Sequence, residues 1–389
     1  MVFDDWKKFG HFRVGQTDYY SYSDAKAAAK LLNCSVQYML NNDVYSQHDW
    51  TKDPCPHLSL ADLYRLRAQQ LRDENDYVVL MFSGGPDSTN ILNTFCDNDL
   101  VIDEIINFNS YSSTGKVDGT LTNADFYYNA KPTLDLLQRE GKLQAKITIY
   151  DEIKFSLKHW ARMQKLGSDD MATCLGGPNM WLNAAWAHQY NDELWKRIQN
   201  KGKVCIIYGH DKPNSKIVHG KRAIIHNGLG MANFDEAVKQ YPELMAPLVK
   251  ACHWFYASAD SPNIVMKQAW ILTQFCNAHP EAEYYSQPSK DPSLRPAVYW
   301  PSKHGHGNLR YDIFHSIIYP TWKPSFVTPK VSDQLQRPQD CWWVDDLQPE
   351  QKSLWQYYAK KFVIENFETI KKTGSIISVA PSTEPIYIE

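Results

Sequence analysis

The chain has 389 residues, a formal net charge of −3 and 43% hydrophobic residues, which is the composition of an ordinary globular protein. This charge gives no general attraction to nucleic acid, although it is compatible with a local basic groove. The eight cysteines form no Cys-x-x-Cys pair, so we expect reduced thiols in a cytoplasmic protein. The N-terminus lacks an apolar signal core and no stretch approaches membrane-span length, so we expect no membrane partner.

Residues 1–75 are predicted to form an N-terminal extension of helices and irregular segments. Short strands or loops at residues 12–15 and 19–22 precede an alanine-rich helix. A second helix is predicted to begin after Ser59, because Ser59 and Asp62 have the spacing of a capping box. We expect the arginines of this helix to form a solvated basic face: Arg65, Arg67 and Arg72.

Residues 76–233 are predicted to form an α/β domain. An unbroken apolar run at residues 77–82 is typical of a strand buried on both faces, as in a parallel sheet. Further strands are predicted at residues 104–108, 145–150 and 203–208, with helical stretches between them. This alternation predicts a parallel sheet with right-handed crossovers and helices on both faces. Ligands of such sheets bind at the carboxyl ends of the strands, near the point where the strand order reverses.

A loop of small residues, Ser83-Gly84-Gly85-Pro86-Asp87-Ser88, follows the first of these strands, and Thr89 continues into a predicted helix. Backbone N–H groups and the helix dipole favour a phosphate at such a place. Glycines let the backbone approach closely, while Ser83 and Ser88 add hydroxyl donors. Asp87 supplies a hard oxygen ligand for Mg²⁺. The sequence therefore predicts a phosphate-binding loop with a magnesium ligand.

Residues 83–88 resemble the PP-loop of the N-type ATP pyrophosphatases, a superfamily that includes asparagine, GMP and NAD synthetases, tRNA-thiolating enzymes and phosphoadenylylsulfate reductase. The loop is not a Walker A loop, because no Gly-Lys-Ser/Thr ends it. The resemblance implies a Rossmann-type, adenine nucleotide alpha hydrolase-like fold, ATP and Mg²⁺ as cofactors, and an AMP-forming ligase or transferase. The N-terminal region and the C-terminal part of the chain are similar to phage-encoded asparagine-synthetase-like proteins, which implies the host cytoplasm as the location of the protein.

A second candidate segment, Gly209-His210-Asp211-Lys212-Pro213, follows the last of the predicted strands. In PP-loop enzymes a loop at this place carries a glycine, an acidic residue and a basic residue near the pyrophosphate. The resemblance therefore implies that Gly209 binds ATP and that Asp211 and Lys212 are catalytic, with Asp211 sharing Mg²⁺ with Asp87. A leaving pyrophosphate needs cations, and the sequence offers three here: Lys212, Lys221 and Arg222. The alternative is a solvent-exposed basic turn.

Two further segments are candidates for binding. Gly177, Pro178 and Asn179 open a predicted helix and loosely resemble the segment that helps build the substrate site of cyano-deazaguanine synthases. A plain helix start explains these residues equally well. Phe108 ends the second strand, where the resemblance places the adenosine, and it is equally compatible with a core position.

Residues 234–389 are predicted to form an aromatic-rich, mainly helical region that serves substrate binding or oligomerisation, so that a homo-oligomer is compatible with the sequence. The strand–helix alternation stops near residue 234, and helices are predicted from Pro262 and over residues 349–372. The expected acceptor is a small molecule or a nucleobase-like compound. Trp300, Tyr311 and Trp322 suit stacking on such a planar group, and they suit a core as well.

The resemblance implies that an acceptor oxygen attacks ATP, that pyrophosphate leaves and that a nitrogen nucleophile then displaces AMP. The region before residue 77 is too short for a glutaminase, so the nitrogen would come from free ammonia, an amine or a separate glutaminase. Sulfur transfer is the first alternative, for which Cys174 would need a partner such as Cys205. The second alternative is a module that binds adenine nucleotides without turnover.

Overall fold

The computed structural model describes residues 10–40, 49–109, 126–151, 184–185, 187–200, 202–209, 212–219, 221–226, 234–235, 237–239, 241–279, 317–319, 321 and 386–387. The helices in these ranges are α1 (Tyr22–Leu32), α2 (Leu60–Glu74), α3 (Pro86–Asp97), α4 (Lys131–Arg139), α5 (Asp192–Gln199), α6 (Pro242–Ala251) and α7 (Pro262–Ala278). The strands are β1 (Gly10–Val14), β2 (Thr17–Tyr19), β3 (Gln37–Leu40), β4 (Tyr77–Met81), β5 (Glu104–Asn109), β6 (Lys146–Asp151), β7 (Val204–Tyr208), β8 (Pro213–Val218), β9 (Lys221–His226), β10 (Cys252–Trp254) and β11 (Ile386–Tyr387).

The centre of the fold is a parallel sheet, which within the described ranges has five strands in the order β10-β7-β4-β5-β6. Strand β4 lies between β5 and β7, and Val79 is paired with both Glu104 and Ile206. The chain passes from β4 outward to β5 and β6 and then returns to the other side of β4 at β7. The strand order therefore reverses between β4 and β7, which confirms the predicted α/β class and is compatible with a Rossmann-like fold.

Strand β4 is buried because apolar groups cover both faces of the sheet. Val78, Val79 and Leu80 are each 0% exposed. Val78 and Leu80 belong to a hydrophobic cluster with side chains of α2, α3, α4 and α7, whereas Val79 belongs to a cluster with α5 and α6. This two-sided burial explains the continuous apolar run in the sequence.

The alternation of strands and helices continues beyond residue 234, contrary to the sequence-based expectation. Strand β10 follows α6 and extends the parallel sheet, with Cys252 opposite Ile206 and Trp254 opposite Tyr208. Helix α7 then begins at Pro262, as predicted. A strand of three residues leaves no recognisable period in the sequence, and for this reason the pattern did not indicate β10.

The N-terminal region contains more regular structure than the sequence predicts. Strands β2, β1 and β3 form an antiparallel sheet on which α1 packs. The capping box of Ser59 and Asp62 at the start of α2 is confirmed. The expectation of a solvated basic face is wrong for Arg67, which is 2% exposed and donates from Nη2 to the carbonyl oxygen of Trp254 at 3.0 Å.

Two strands of a small antiparallel sheet, β8 and β9, lie in the chain between β7 and β10 of the parallel sheet. Strands β8 and β9 form a hairpin, and β11 pairs with the other edge of β9. The helical stretch predicted between the second and third strands is present as a π-helix, Phe126–Ala130, that leads into α4. The helix predicted at residues 349–372 and the side chains Trp300, Tyr311 and Trp322 lie outside the described residues. In the part of the chain that is described, no helix has both the length and the apolar character needed to cross a membrane.

Candidate functional site

The loop between β4 and α3 is held in shape by its own serine hydroxyl groups. The main-chain N–H of Ser83 donates to Ser88 Oγ at 3.3 Å, and the N–H of Gly85 donates to Ser83 Oγ at 3.3 Å. Ser88 Oγ in turn donates to the carbonyl oxygen of Gly85 at 3.3 Å. Helix α3 begins at Pro86, and its N-cap Gly85 offers no side chain to the amides of the first turn. These amides point out of the helix without intrahelical acceptors.

Gly84 brings the loop against the start of α4. Its φ angle is +80°, a left-handed conformation that favours glycine. A Cβ atom at this position would lie 2.7 Å from the main-chain nitrogen of Ala130 and 2.8 Å from its Cβ. Only glycine therefore allows this approach. Thr89, in the first turns of α3, is buried at 8% exposure.

The first turn of α3 carries Asp87, and the segment after β7 supplies its partner Lys212. Lys212 Nζ lies 2.6 Å from Oδ1 and 2.7 Å from Oδ2 of Asp87. Gly209 lies beside this pair, because a Cβ on Gly209 would be 3.0 Å from Asp87 Cβ and 3.1 Å from Ile91 Cδ1. The absence of a side chain at Gly209 lets the end of β7 approach α3 closely. The carboxyl ends of β4 and β7 thus meet where the strand order reverses.

Two tyrosines from later in the chain contact the same aspartate. Tyr319 donates from its hydroxyl to Asp87 Oδ1 at 2.6 Å, and Tyr256 donates to the main-chain oxygen of Asp87 at 2.8 Å. Asn90, one turn further along α3, donates to the hydroxyl of Tyr256 at 3.1 Å. Lys212 Nζ also lies 5.7 Å from the centre of the Tyr319 ring. Asp87 is therefore held through its main chain and through its carboxylate.

These tyrosines belong to a buried aromatic cluster that also includes Tyr64 of α2. The ring centroids of Tyr256 and Tyr319 are 5.2 Å apart, and those of Tyr64 and Tyr256 are 5.6 Å apart. Burial, and secondly the Asp87 carboxylate, raises the pKa of Tyr319 well above its ordinary value. Tyr319 is therefore a neutral phenol near pH 7, which fits its role as a hydrogen-bond donor.

The oxygen atoms of the loop suit Mg²⁺. Asp87 supplies a carboxylate, and Ser83 and Ser88 supply hydroxyl groups. The Lys212 ammonium already lies against both carboxylate oxygens of Asp87, as a cation would. Among the residues described, no group of three or more His, Cys, Asp or Glu side chains could hold a metal ion. A magnesium ion at Asp87 would therefore need further ligands such as water or phosphate oxygens, which is usual for this ion.

The remaining residues predicted for the site are placed differently. Phe108 lies at the carboxyl end of β5, partly buried, with its ring centroid 5.3 Å from that of Tyr150. Lys221 is exposed at the start of β9. Arg222 is 4% exposed and donates to Asn277 Oδ1 at 3.0 Å and to the carbonyl of Cys276 at 3.4 Å, so it contacts the end of α7. Asp211, Gly177, Pro178 and Asn179 lie outside the described residues.

The tyrosines were missed by reasoning from the sequence. Tyr256 follows the short strand β10, and Tyr319 lies in a region without periodicity, so nothing in the local pattern connects them with the loop. Asn107 of β5 was missed as well, although it donates from Nδ2 to the main-chain oxygen of Phe82 at 2.6 Å and so fixes the start of the loop. A polar residue near the carboxyl end of a buried strand is the signal that points to such a role.

A cavity of about 380 Å³ lies at the opposite edge of the sheet, beside the amino ends of β4 and β7. The Arg197 guanidinium there lies 4.4 Å from the centre of the Tyr77 ring and forms an ion pair with Glu193 at 3.1 Å. Ligands of open parallel sheets bind at the carboxyl ends of the strands. We therefore place the candidate site at the Ser83–Ser88 loop and not in this cavity.

The sequence matches no protein-family model, and no curated protein sequence matches it either. We therefore base the functional assignment on the geometry around Asp87, on the position of this residue at the reversal of strand order, and on the loop motif. The chain contains a parallel α/β sheet whose carboxyl edge carries a glycine-containing loop, a lysine–aspartate pair and two tyrosine hydroxyl groups.

Proposed function

We propose that this protein is an AMP-forming adenylating enzyme of the ATP pyrophosphatase type, with the PP-loop at Ser83–Ser88. The observation that carries the proposal is the pairing of Lys212 with Asp87 at the reversal of strand order. It combines a positive side chain, a carboxylate and the N-terminus of a helix at one point. A triphosphate that loses pyrophosphate needs this combination, because negative charge accumulates on the leaving group.

In the first step, an acceptor oxygen attacks the α-phosphorus of ATP, and the bond between this phosphorus and the oxygen bridging to the β-phosphate breaks. The main-chain N–H groups of Asp87 and Ser88 would hold phosphate oxygens, and Gly84 would allow close approach. Pro86 has no N–H and fixes the loop instead. Lys212 would move from Asp87 to the leaving pyrophosphate. Asp87 would then hold Mg²⁺, which neutralises phosphate charge when bound.

In the second step, ammonia or an amine attacks the activated carbon of the acceptor, AMP leaves with the electron pair of the broken bond, and the nitrogen loses a proton. The acceptor is a small molecule or a nucleobase-like compound, and a separate glutaminase is one source of the ammonia. Nitrogen is favoured over sulfur because Cys205 is 0% exposed in β7, and burial raises the pKa of its thiol to about 12. Such a thiol is a poor partner for Cys174, which lies outside the described residues.

The test is to incubate the full chain with ATP labelled in its α-phosphate, MgCl₂, ammonium chloride and panels of carboxylate, amide and nucleobase acceptors. We expect AMP and pyrophosphate in equal amounts. Asp87→Asn should lower their formation about a hundredfold or more, because an electrostatic contact with the reacting phosphates is lost. Asp97→Asn is the control, since Asp97 is an exposed residue at the end of the same helix.

The products distinguish the proposal from its rivals. Formation of ADP and inorganic phosphate would refute pyrophosphatase chemistry. Binding of ATP without release of pyrophosphate for any acceptor, nitrogen donor or thiol would identify a non-catalytic nucleotide-binding module. Pyrophosphate release that depends on a thiol donor and is lost in Cys174→Ser would identify sulfur transfer.

A further inference from the structure

The first turn of α3 has few amide groups that can bind a ligand. Pro86 has no N–H, and the N–H groups of Ser83 and Gly85 already donate to serine hydroxyl groups of the loop. The first hydrogen bond of the helix runs from the N–H of Thr89 to the carbonyl oxygen of Gly85 at 3.0 Å. The N–H of Ser88 lies just before this bond and lacks an intrahelical acceptor, so it is one of the few donors that α3 offers at this point.

Tyr256 holds the peptide unit to which this N–H belongs. The carbonyl group of Asp87 and the N–H of Ser88 are the two ends of one planar peptide group. The Tyr256 hydroxyl donates to this carbonyl oxygen at 2.8 Å, and Asn90 Nδ2 donates to the same hydroxyl at 3.1 Å. Because the peptide group is planar, a hydrogen bond that fixes its carbonyl end also fixes the direction of its N–H end.

The side chains of this hydrogen-bond chain are held in place by burial. Tyr256 is 0% exposed and Asn90 is 2% exposed. The ring centroid of Tyr256 lies 5.6 Å from that of Tyr64 and 5.2 Å from that of Tyr319. Burial raises the pKa of Tyr256 well above its ordinary value, so the hydroxyl stays protonated near pH 7 and remains a donor.

We infer that Tyr256, supported by Asn90, is a positioning residue that directs and polarises the peptide group between Asp87 and Ser88, so that the N–H of Ser88 binds a phosphate group. This inference rests on the proposed function, in which the loop binds the phosphates of ATP. A hydrogen bond to a carbonyl oxygen draws electron density from the amide nitrogen, and hydrogen bonds in a chain strengthen one another. The N–H at the end of this chain is therefore a stronger donor toward an anion than an isolated amide.

The experiment compares a ligand that carries phosphates with one that lacks them. The dissociation constants of α,β-methylene-ATP, by calorimetry, and of adenosine, by ligand-observed NMR titration, are measured in MgCl₂ for the full-length wild type, Tyr256→Phe and Tyr64→Phe. We expect Tyr256→Phe to weaken binding of the triphosphate about fivefold and to leave binding of adenosine unchanged, because only a phosphate contact is weakened. Tyr64→Phe is the matched control and should keep both affinities. It removes a hydroxyl from the same cluster, but that hydroxyl donates to the carbonyl oxygen of Ile318 at 2.8 Å.

A second variant, Asn90→Ala, tests the hydrogen-bond chain itself. The Asn90 side chain acts on the peptide group through the Tyr256 hydroxyl. We therefore expect Asn90→Ala to weaken binding of the triphosphate about twofold in the wild type and not at all in Tyr256→Phe. An equal loss in both backgrounds would overturn the inferred chain, because Asn90 would then act by another route.

The outcomes separate the two proposals. If the wild type binds the triphosphate no more tightly than adenosine, the proposed function fails and the role of Tyr256 fails with it. If the phosphates strengthen binding but Tyr256→Phe keeps both affinities, the role of Tyr256 alone is overturned. A loss of both affinities by the same factor in Tyr256→Phe overturns it as well, because general structural damage weakens the binding of both ligands.

Discussion

One ammonium group, Lys212 Nζ, bridges both carboxylate oxygens of Asp87 across 125 residues of sequence. Both side chains are about three-quarters buried, so the pair is shielded from water on most sides. The ion pair joins the first turn of α3 to the segment that follows β7, which are the two elements on either side of the strand reversal. Lys212 is therefore a partner of Asp87 and, under the proposed function, a partner of pyrophosphate during turnover.

Replacing Lys212 tests this second role. Lys212→Gln keeps a polar side chain but removes the positive charge, so we expect AMP formation to fall by roughly a hundredfold to a thousandfold, mainly in kcat. The measurement is the steady-state rate of pyrophosphate release. Lys203→Gln is the matched control. Lys203 is an exposed lysine just before β7, at the amino edge of the sheet, whereas Lys212 follows the carboxyl end of the same strand. Equal rates for the Lys212 variant and the wild type would contradict the assignment.

Gly84→Ala should damage the loop for two separable reasons. The left-handed φ of +80° strains any other residue, and the new Cβ would meet the main chain of Ala130 at 2.7 Å. Gly141→Ala introduces only the first strain, because Gly141 has φ +70° and a Cβ added there would have no other atom within 4 Å. We expect about 1 kcal/mol of destabilisation for Gly141→Ala and clearly more for Gly84→Ala in urea unfolding. Equal losses would show that the loop can move away from Ala130.

The buried imidazole of His188 should make the protein sensitive to acid. Burial lowers the pKa of His188 to about 3 from its ordinary 6.5, so the folded chain excludes a proton that the unfolded chain binds between these values. The free energy of unfolding therefore falls as the pH falls through this window, by about 1.5 kcal/mol between pH 6.5 and pH 5. Urea unfolding at several pH values measures this slope.

His188→Gln should flatten that slope whatever its effect on stability at pH 7, because it removes the titrating group. His57→Gln is the control, since His57 is exposed. An unchanged slope in His188→Gln would show that the imidazole binds its proton equally well in the folded and the unfolded chain, which contradicts the lowered pKa.

Thiol labelling should follow exposure among the described cysteines. Cys34 is exposed, whereas Cys205 is 0% exposed and burial raises the pKa of its thiol to about 12. We expect iodoacetamide to modify Cys34 first in the native protein and Cys205 only after unfolding, as read by mass spectrometry of the two peptides. Early labelling of Cys205 would reopen sulfur transfer as a function.

The sequence predicted the centre of the fold well because local patterns determine it. The apolar run of β4 indicates a strand that is buried on both faces, and the small residues after it indicate the turn that leads into α3. Position after a strand was also enough to bring Lys212 into the candidate site. The contacts of Arg67, Arg222 and Tyr319 were not predictable, because each joins residues at least 54 positions apart and nothing in the local sequence encodes their partners.

The hydrogen bond between Tyr319 and Asp87 also sets an order of events on the ribosome. Tyr319 is synthesised 232 residues after Asp87, which corresponds to about 12 to 46 s of translation at ordinary speeds. Throughout this interval a nascent chain carries the loop without the hydroxyl that orients its carboxylate. Shorter translation products therefore lack the finished arrangement, and the loop reaches it only after synthesis has passed Tyr319.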